Sequence, residues 1–447
     1  MSNNSKKKGG AAKRSIALIL AVAVGYATGI GTGLLKDMPK KEVTGQSSIS
    51  KISEPSSLEI QKPVVSEEPD GEDPDRTQPE SEESSEAVET GGETVQGLSG
   101  DRKKAMAIME EMTVHEKLCQ MFVIFPESLA GEPSLTDGGE RIQTAIQEWQ
   151  VGGFIFDADN MESQEQVSGM LRDMQANSKI PFLMTCDEEG GRVNRLMNTV
   201  GTTHIGPMLD YKDRGTGTAR SNARTIAVDM AELGFNIDMA PVADVMSNPE
   251  NAVIGDRSYS TDFQQAAELV GAAVEGFHDG GIACTLKHFP GHGDTSEDSH
   301  YGAVYVYKTL DELREGELLP FEAGINAGAD VVMAGHLIVT SIDDVPVPFS
   351  YKAVTGLLRE EMGFDGVVMT DALRMQAISD SYSSSEAAVM AVQAGVDILL
   401  CPEDFEEAET GLENAFVHGE ITEERLDESV LRILELKIKY GIIDSNE

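Results

Sequence analysis

Three of the chain's eight histidines fall within thirteen residues, in the run KHFPGHGDTSEDSH from Lys287 to His300. Such clustering has three possible chemical meanings. His288 and His292 stand four apart, as ligands do on a zinc-binding helix, but Pro290, Gly291 and Gly293 break any helix there and no HEXXH run is present. Histidines that merely cap a loop are a second reading, most readily for His292. The third, which we prefer, is an acid/base pair. An Asp two residues before a His reaches one ring nitrogen in an extended turn, so Asp298 would fix the His300 tautomer and support its positive charge. A histidine titrating near neutrality donates a proton and later takes one back. The complementary group is Asp371, at the end of an apolar run: a carboxylate suits attack on an oxocarbenium-like carbon, and the sugar ester it forms turns over. Asp371 also reads as an N-cap for a helix beginning DALRM. No G-x-S-x-G elbow is present.

Residues this far apart need a scaffold that gathers them. Short apolar runs recur at Leu118–Phe125, Gly153–Phe156, Phe182–Cys186, Asn236–Ala240, Ile282–Leu286, Asp330–Ala334, Gly366–Thr370 and Val396–Leu400. Each reads as a strand buried on both faces. Helical patterns fill many of the gaps: Gly139–Trp149, Gln164–Gln175, Arg220–Leu233, Phe263–Asp279, Leu310–Ala327, Tyr351–Met362 and Ser385–Ala394. Eight strands alternating with helices predict an α/β fold, a (β/α)8 TIM-type barrel; a doubly wound open sheet is the alternative. No GxGxxG or Walker-type loop opens a helix. In a barrel all strand C-termini meet on one face. Asp187, Lys287, His288, His300, His336 and Asp371 would then surround one pocket.

Composition narrows the partners. The 447 residues carry a formal charge of −42, which excludes nucleic acid and an anionic membrane surface as partners of the main body. Four cysteines exclude a disulfide scaffold. Cys119, Cys186, Cys284 and Cys401 all fall in or beside apolar strands and read as buried free thiols. Aromatics at 5 %, with Trp149 the sole tryptophan, argue for a small polar pocket over a long cleft paved with rings.

The charge divides into +5 over residues 1–35, −10 over 36–100 and −37 beyond. Residues 1–14 form a basic, cytoplasmic N-terminus. Ser15 to Leu35 holds no charge over 21 residues, enough to cross a bilayer, and the preceding bases favour a cytoplasmic start. We read it as an uncleaved signal-anchor, with a signal peptide cut near Gly25-Tyr26-Ala27 as the alternative. Residues 36–100, with six prolines and 16 acids, read as a disordered acidic tether. Residues 101–447 are the catalytic barrel, placed outside the cytoplasmic membrane or secreted.

The run at 287–300 resembles the signature of the single-domain bacterial β-N-acetylhexosaminidases of glycoside hydrolase family 3. The similarity extends through DEEGGRVNRL at 187–196, LGFNIDMAPVADV at 233–245, IGDRSYS at 254–260, VVMAGHL at 331–337 and GVVMTDAL at 366–373. The resemblance implies a retaining mechanism without cofactor or metal, Asp371 as nucleophile and the His300–Asp298 pair as acid/base. It also implies sugar contacts from Asp187, Arg195, Arg257, Lys287 and His288. The 76 residues after Asp371 suffice for the last barrel unit and closing helices but not for a second domain, so the acid/base is expected from the barrel itself. The expected substrate is a glycan or peptidoglycan fragment ending in β-linked N-acetylglucosamine, cleaved by a monomer with water or phosphate as acceptor. A β-glucosidase or β-xylosidase, or a non-catalytic wall sugar-binding protein, are the rival readings.

Overall fold

The computed structural model describes residues 99–296 and 298–444. The segments expected as basic N-terminus, signal-anchor and nearly all of the acidic tether lie outside them. Among the described residues no helix is long and apolar enough to cross a membrane. The hydroxyl of Ser99 accepts the Arg102 N–H and caps the helix Gly100–Glu110.

Among the described residues ten strands follow: β1 (Phe122–Ile124), β2 (Gly153–Ile155), β3 (Leu183–Cys186), β4 (Ile237–Asp238), β5 (Ala283–Phe289), β6 (Val304–Val306), β7 (Val331–Ala334), β8 (Leu337–Val339), β9 (Val367–Thr370) and β10 (Leu399–Leu400). Eight of them run parallel in the order β10-β1-β2-β3-β4-β5-β7-β9. A parallel bridge between Met369 and Ile398 joins the two ends of this sheet. The expected TIM-type barrel is therefore observed. β1, β2, β3, β7 and β9 are buried along their whole length, as strands lining a filled barrel and covered by helices must be.

Three local expectations are corrected. Leu118–Met121 belongs to the helix Val114–Gln120 and its cap, not to a strand, because Thr113 and Glu116 form a capping box that starts a helix there. Cys119 is accordingly helical, although all four cysteines are free and buried as expected. The single helix predicted over 310–327 is two, Leu310–Glu315 and Leu318–Asn326, interrupted at Gly316 with φ −135° and ψ −94°. The third correction is an addition: β6 and β8 pair with each other, parallel, outside the barrel.

The end of the barrel opposite the strand C-termini is locked by ions. Asp397, just before β10, takes Arg359 at 2.5 Å, Ser429 at 2.7 Å, Arg432 at 3.3 Å and Arg425 at 3.4 Å. Asp330, just before β7, accepts hydrogen bonds from Lys439 at 2.6 Å and Tyr440 at 2.7 Å and pairs with His278 at 3.0 Å. Both clusters tie the C-terminal helix Glu423–Lys439 and its end to the barrel floor. They stabilise the scaffold and stand away from the chemistry.

Candidate active site

The strand C-termini converge on a cavity of about 290 Å³, at the small end of ligand pockets. Asp187, Arg195, Arg257, Lys287, His288, His300 and Asp371 all line it. Asp298 stands behind His300. His336 does not face the cavity: it sits under the wall, its Nε2 donating to the Ala372 carbonyl at 3.0 Å.

β5 delivers Lys287 and His288. Lys287, almost wholly buried, pairs with Asp187 at 2.7 Å and Glu189 at 2.7 Å. Glu189 in turn makes a two-pronged pair with Arg257, both contacts at 2.8 Å. Burial alone would raise the Glu189 carboxyl, but Arg257 and Lys287 outweigh it and hold the group far below the usual carboxylate range. Arg195 reaches Asp157 at 2.7 Å and Asp187 at 3.4 Å. Its backbone is set by Glu188, whose carboxylate accepts the N–H groups of Arg195, Leu196 and Met197 and folds the segment after β3 back over the pocket. The three consecutive acids at 187–189 thus do three different things: one faces the cavity, one caps a turn and one neutralises two buried cations.

The loop after β5 is held closely. A Cβ at Gly293 would lie 1.7 Å from the Val245 carbonyl oxygen, so only glycine lets this backbone press against the segment after β4. From that segment, buried Asp244 accepts His288 Nδ1 at 2.6 Å and the His292 N–H at 2.6 Å. His292 has both ring nitrogens engaged, with Thr295 Oγ at 2.8 Å and Ser299 Oγ at 3.2 Å. Burial pushes its pKa down, so it stays neutral and braces the loop. Each of the three clustered histidines is therefore oriented at Nδ1 by a protein partner. At the tip, the Asp298 carboxylate accepts His300 Nδ1 at 2.6 Å and the His300 N–H at 2.9 Å. That is the predicted dyad, with His300 at the mouth and open to solvent.

Asp371 follows β9. Its N–H donates to the Ala334 carbonyl at 2.9 Å, and its own Oδ1 accepts the Ala372 N–H at 2.7 Å. No helix begins here; the next is Gln376–Ser379. The N-cap alternative thus fails. Burial would raise this carboxyl, yet the potential from His336, His288 and Lys287, with the Ala372 N–H, more than offsets it and keeps it below the ordinary range. Four cations, with Arg374 the fourth, and three acids line the cavity of a chain whose total charge is −42. A carboxylate on one wall and an oriented imidazole at the mouth are the components of a two-step displacement at a glycosidic carbon.

Glu188, Glu189 and Asp244 were inside recognisable motifs, but their positioning roles were not read from sequence. Burial of Glu189 and Asp244 beside fixed cations or histidines is the signal, and it appears only in three dimensions.

Residues 113–436 match the glycosyl hydrolase family 3 N-terminal domain. A β-hexosaminidase A from Pseudoalteromonas piscicida is 32 % identical over 374 residues, covering 75 % of this chain and 62 % of that enzyme. The β-hexosaminidase LpqI of Mycobacterium tuberculosis is 34 % identical over 335 residues, covering 73 % and 83 %. The solved family 3 β-N-acetylglucosaminidase of Paenibacillus sp. FPU-7 superposes with a TM-score of 0.70 at 36 % identity, covering 74 % of this chain and 63 % of its own. The match thus spans somewhat under two thirds of the first and third of these relatives and most of the second. With the family domain matched over most of the barrel and the site assembled at its expected face, this chain belongs to glycosyl hydrolase family 3.

Proposed function

We propose that this protein is a retaining, exo-acting β-N-acetylhexosaminidase that removes terminal β-linked N-acetylglucosamine from glycans or peptidoglycan fragments. The observation that carries the reading is the pairing, in one sugar-sized cavity, of an ionised Asp371 with the Asp298-oriented His300. The relatives named β-hexosaminidase support the choice of amino sugar. In the first step Asp371 attacks the anomeric carbon while His300 gives its proton to the leaving oxygen. In the second, His300 takes a proton from water as the water displaces Asp371, which regenerates both groups and restores the original configuration. Asp187, Arg195, Arg257, Lys287 and His288 hold the sugar hydroxyls.

The test is turnover of nitrophenyl glycosides by the purified protein, with the first-formed anomer read by NMR. The expected result is hydrolysis of the N-acetylglucosaminide with the β-anomer appearing first. Activity on the glucoside alone, or an α-anomer, overturns the reading. We further propose that Ser15–Leu35 anchors the protein with its barrel outside the cytoplasmic membrane. Membrane fractionation with protease accessibility from outside is expected to show this; a mature N-terminus near Thr28 in the medium would contradict it.

A further inference from the structure

Aromatic residues are scarce, yet they dominate the exposed apolar surface. Among the described residues the large hydrophobic side chains left exposed are Tyr301, Tyr305, Tyr307, Tyr351 and Val417. Three of these tyrosines lie within seven residues, starting directly after His300. Tyr305 sits on β6 between buried Val304 and Val306, so the strand's alternation turns it outward. Tyr307, two residues on, lies alongside it: the ring centroids are 6.2 Å apart and the planes 14° from parallel. Both rings remain open, 47 % and 78 % exposed. A soluble surface has no reason of its own to hold two parallel rings out to water.

Their position follows from register. β6 pairs with β8 as Val304↔Leu337 and Tyr305↔Ile338. His336 directly precedes β8 and is bonded to Ala372 in the pocket wall. With about 3.3 Å per residue along a strand and about 4.8 Å between strands, the Tyr305 Cα stands roughly 8 Å from that of His336, and Tyr307 roughly 14 Å. The two rings therefore form a ledge that starts near the cavity wall and steps outward. The chain reaches it from His300, the proposed proton donor to the leaving oxygen, in five residues. The cavity has room for one sugar, so the rest of an oligosaccharide extends past its mouth, where His300 stands.

We propose that Tyr305 and Tyr307 bind the leaving-group sugars of an oligosaccharide beyond the cleaved bond, by stacking on their flat C–H faces while the phenol hydroxyls meet sugar hydroxyls. This rests on the reading of the enzyme as a β-N-acetylhexosaminidase. It refines the expectation of a small pocket: the pocket is small, but the few exposed rings are spent beside it.

The measure is the ratio of kcat/KM for a β-1,4-linked N-acetylglucosamine tetrasaccharide to that for the nitrophenyl monosaccharide, which does not reach the ledge. Losing both rings in Tyr305→Ala/Tyr307→Ala is expected to lower that ratio about tenfold, chiefly through KM for the tetrasaccharide. Tyr305→Phe/Tyr307→Phe, which keeps the stacking faces, is expected to restore most of it. Both side chains are surface-exposed, and an unchanged melting temperature confirms the fold. An unchanged ratio overturns the proposal. So does an unchanged ratio together with loss of a dimer in sedimentation, which would make the rings a contact between copies. If the unaltered protein cleaves no N-acetylglucosaminide, the functional reading fails separately. The ledge is then scored by calorimetric binding of the same tetrasaccharide: weaker binding by the double Ala variant supports it, and equal binding overturns it.

Discussion

Replacing Glu189 by Gln removes one charge from a buried set of two acids and two cations. In the intact protein Glu189 bridges Arg257 at 2.8 Å and Lys287 at 2.7 Å. Glutamine keeps the shape but leaves one positive charge uncompensated, and its amide group faces a guanidinium that also only donates. Breaking a buried pair in this way costs about 3–5 kcal/mol. The lower end applies, because Lys287 retains Asp187 at 2.7 Å and Arg257 retains the Val253 carbonyl at 3.1 Å. About 3 kcal/mol corresponds to a fall of roughly 4 °C in melting temperature for a domain of about 350 residues, at ~2.1 cal/mol/K of unfolding entropy per residue. The effect has a pH signature. The folded carboxyl is depressed by Arg257 and Lys287, so its stabilisation is complete above the unfolded value near ~4.3 and is lost as pH falls below it. Scanning calorimetry of Glu189→Gln beside the unaltered protein should therefore show the full difference at pH 7 and a shrinking one from pH 4 downward. Because Lys287 and Arg257 line the cavity, KM for the nitrophenyl N-acetylglucosaminide should rise as well. A difference under about 1 °C at pH 7, or one that persists unchanged into acid, would refute the reasoning.

Further outcomes follow from the same geometry. His300→Ala should slow cleavage of a natural disaccharide by about 10²–10⁴-fold, and the glycosylation step with a nitrophenyl leaving group far less, since that group departs without a proton; azide should rescue the second step as a glycosyl azide of retained configuration. Asp298→Asn should follow the same pattern more weakly, because the imidazole remains and loses only its charged 2.6 Å partner. At the barrel floor, Asp397→Ala leaves Arg359, Arg425 and Arg432 without their shared carboxylate and should destabilise by about 3–5 kcal/mol in denaturant unfolding, while any soluble folded fraction keeps its KM.

Much of this was legible in the sequence for identifiable physical reasons. The eight barrel strands are apolar on both faces and short, and polar motifs follow them, so the strand C-termini pointed to one site. Edges were less legible. Leu118–Met121 is as apolar as a strand, and only the Thr113–Glu116 capping box assigns it to a helix. β6 and β8 are three residues each, and β6 carries an exposed tyrosine, a pattern too brief to stand out from a loop. In the site, Asp371, Asp298 and His300 were singled out because their types and spacing suit one chemistry, and the fold brings Asp371 and His300 to one cavity. Glu189 and Asp244 were not: the three adjacent acids at 187–189 are indistinguishable until the backbone aims them, and the histidine partners of Asp244 lie 44 and 48 residues away. His336 was grouped with the pocket by its place at a strand end, but its ring turns behind Ala372 instead.

The account depends most on Asp371, and covalent trapping tests it directly. An activated N-acetylglucosaminide fluorinated on the sugar ring slows both steps, and the second more, so the glycosyl-enzyme accumulates. Intact-mass measurement should show one added sugar per chain, and peptide sequencing should place it on Asp371. Asp371→Ala should take up no label while keeping its fold. Label on a different carboxylate, or turnover by Asp371→Ala at the rate of the unaltered protein, would contradict the account.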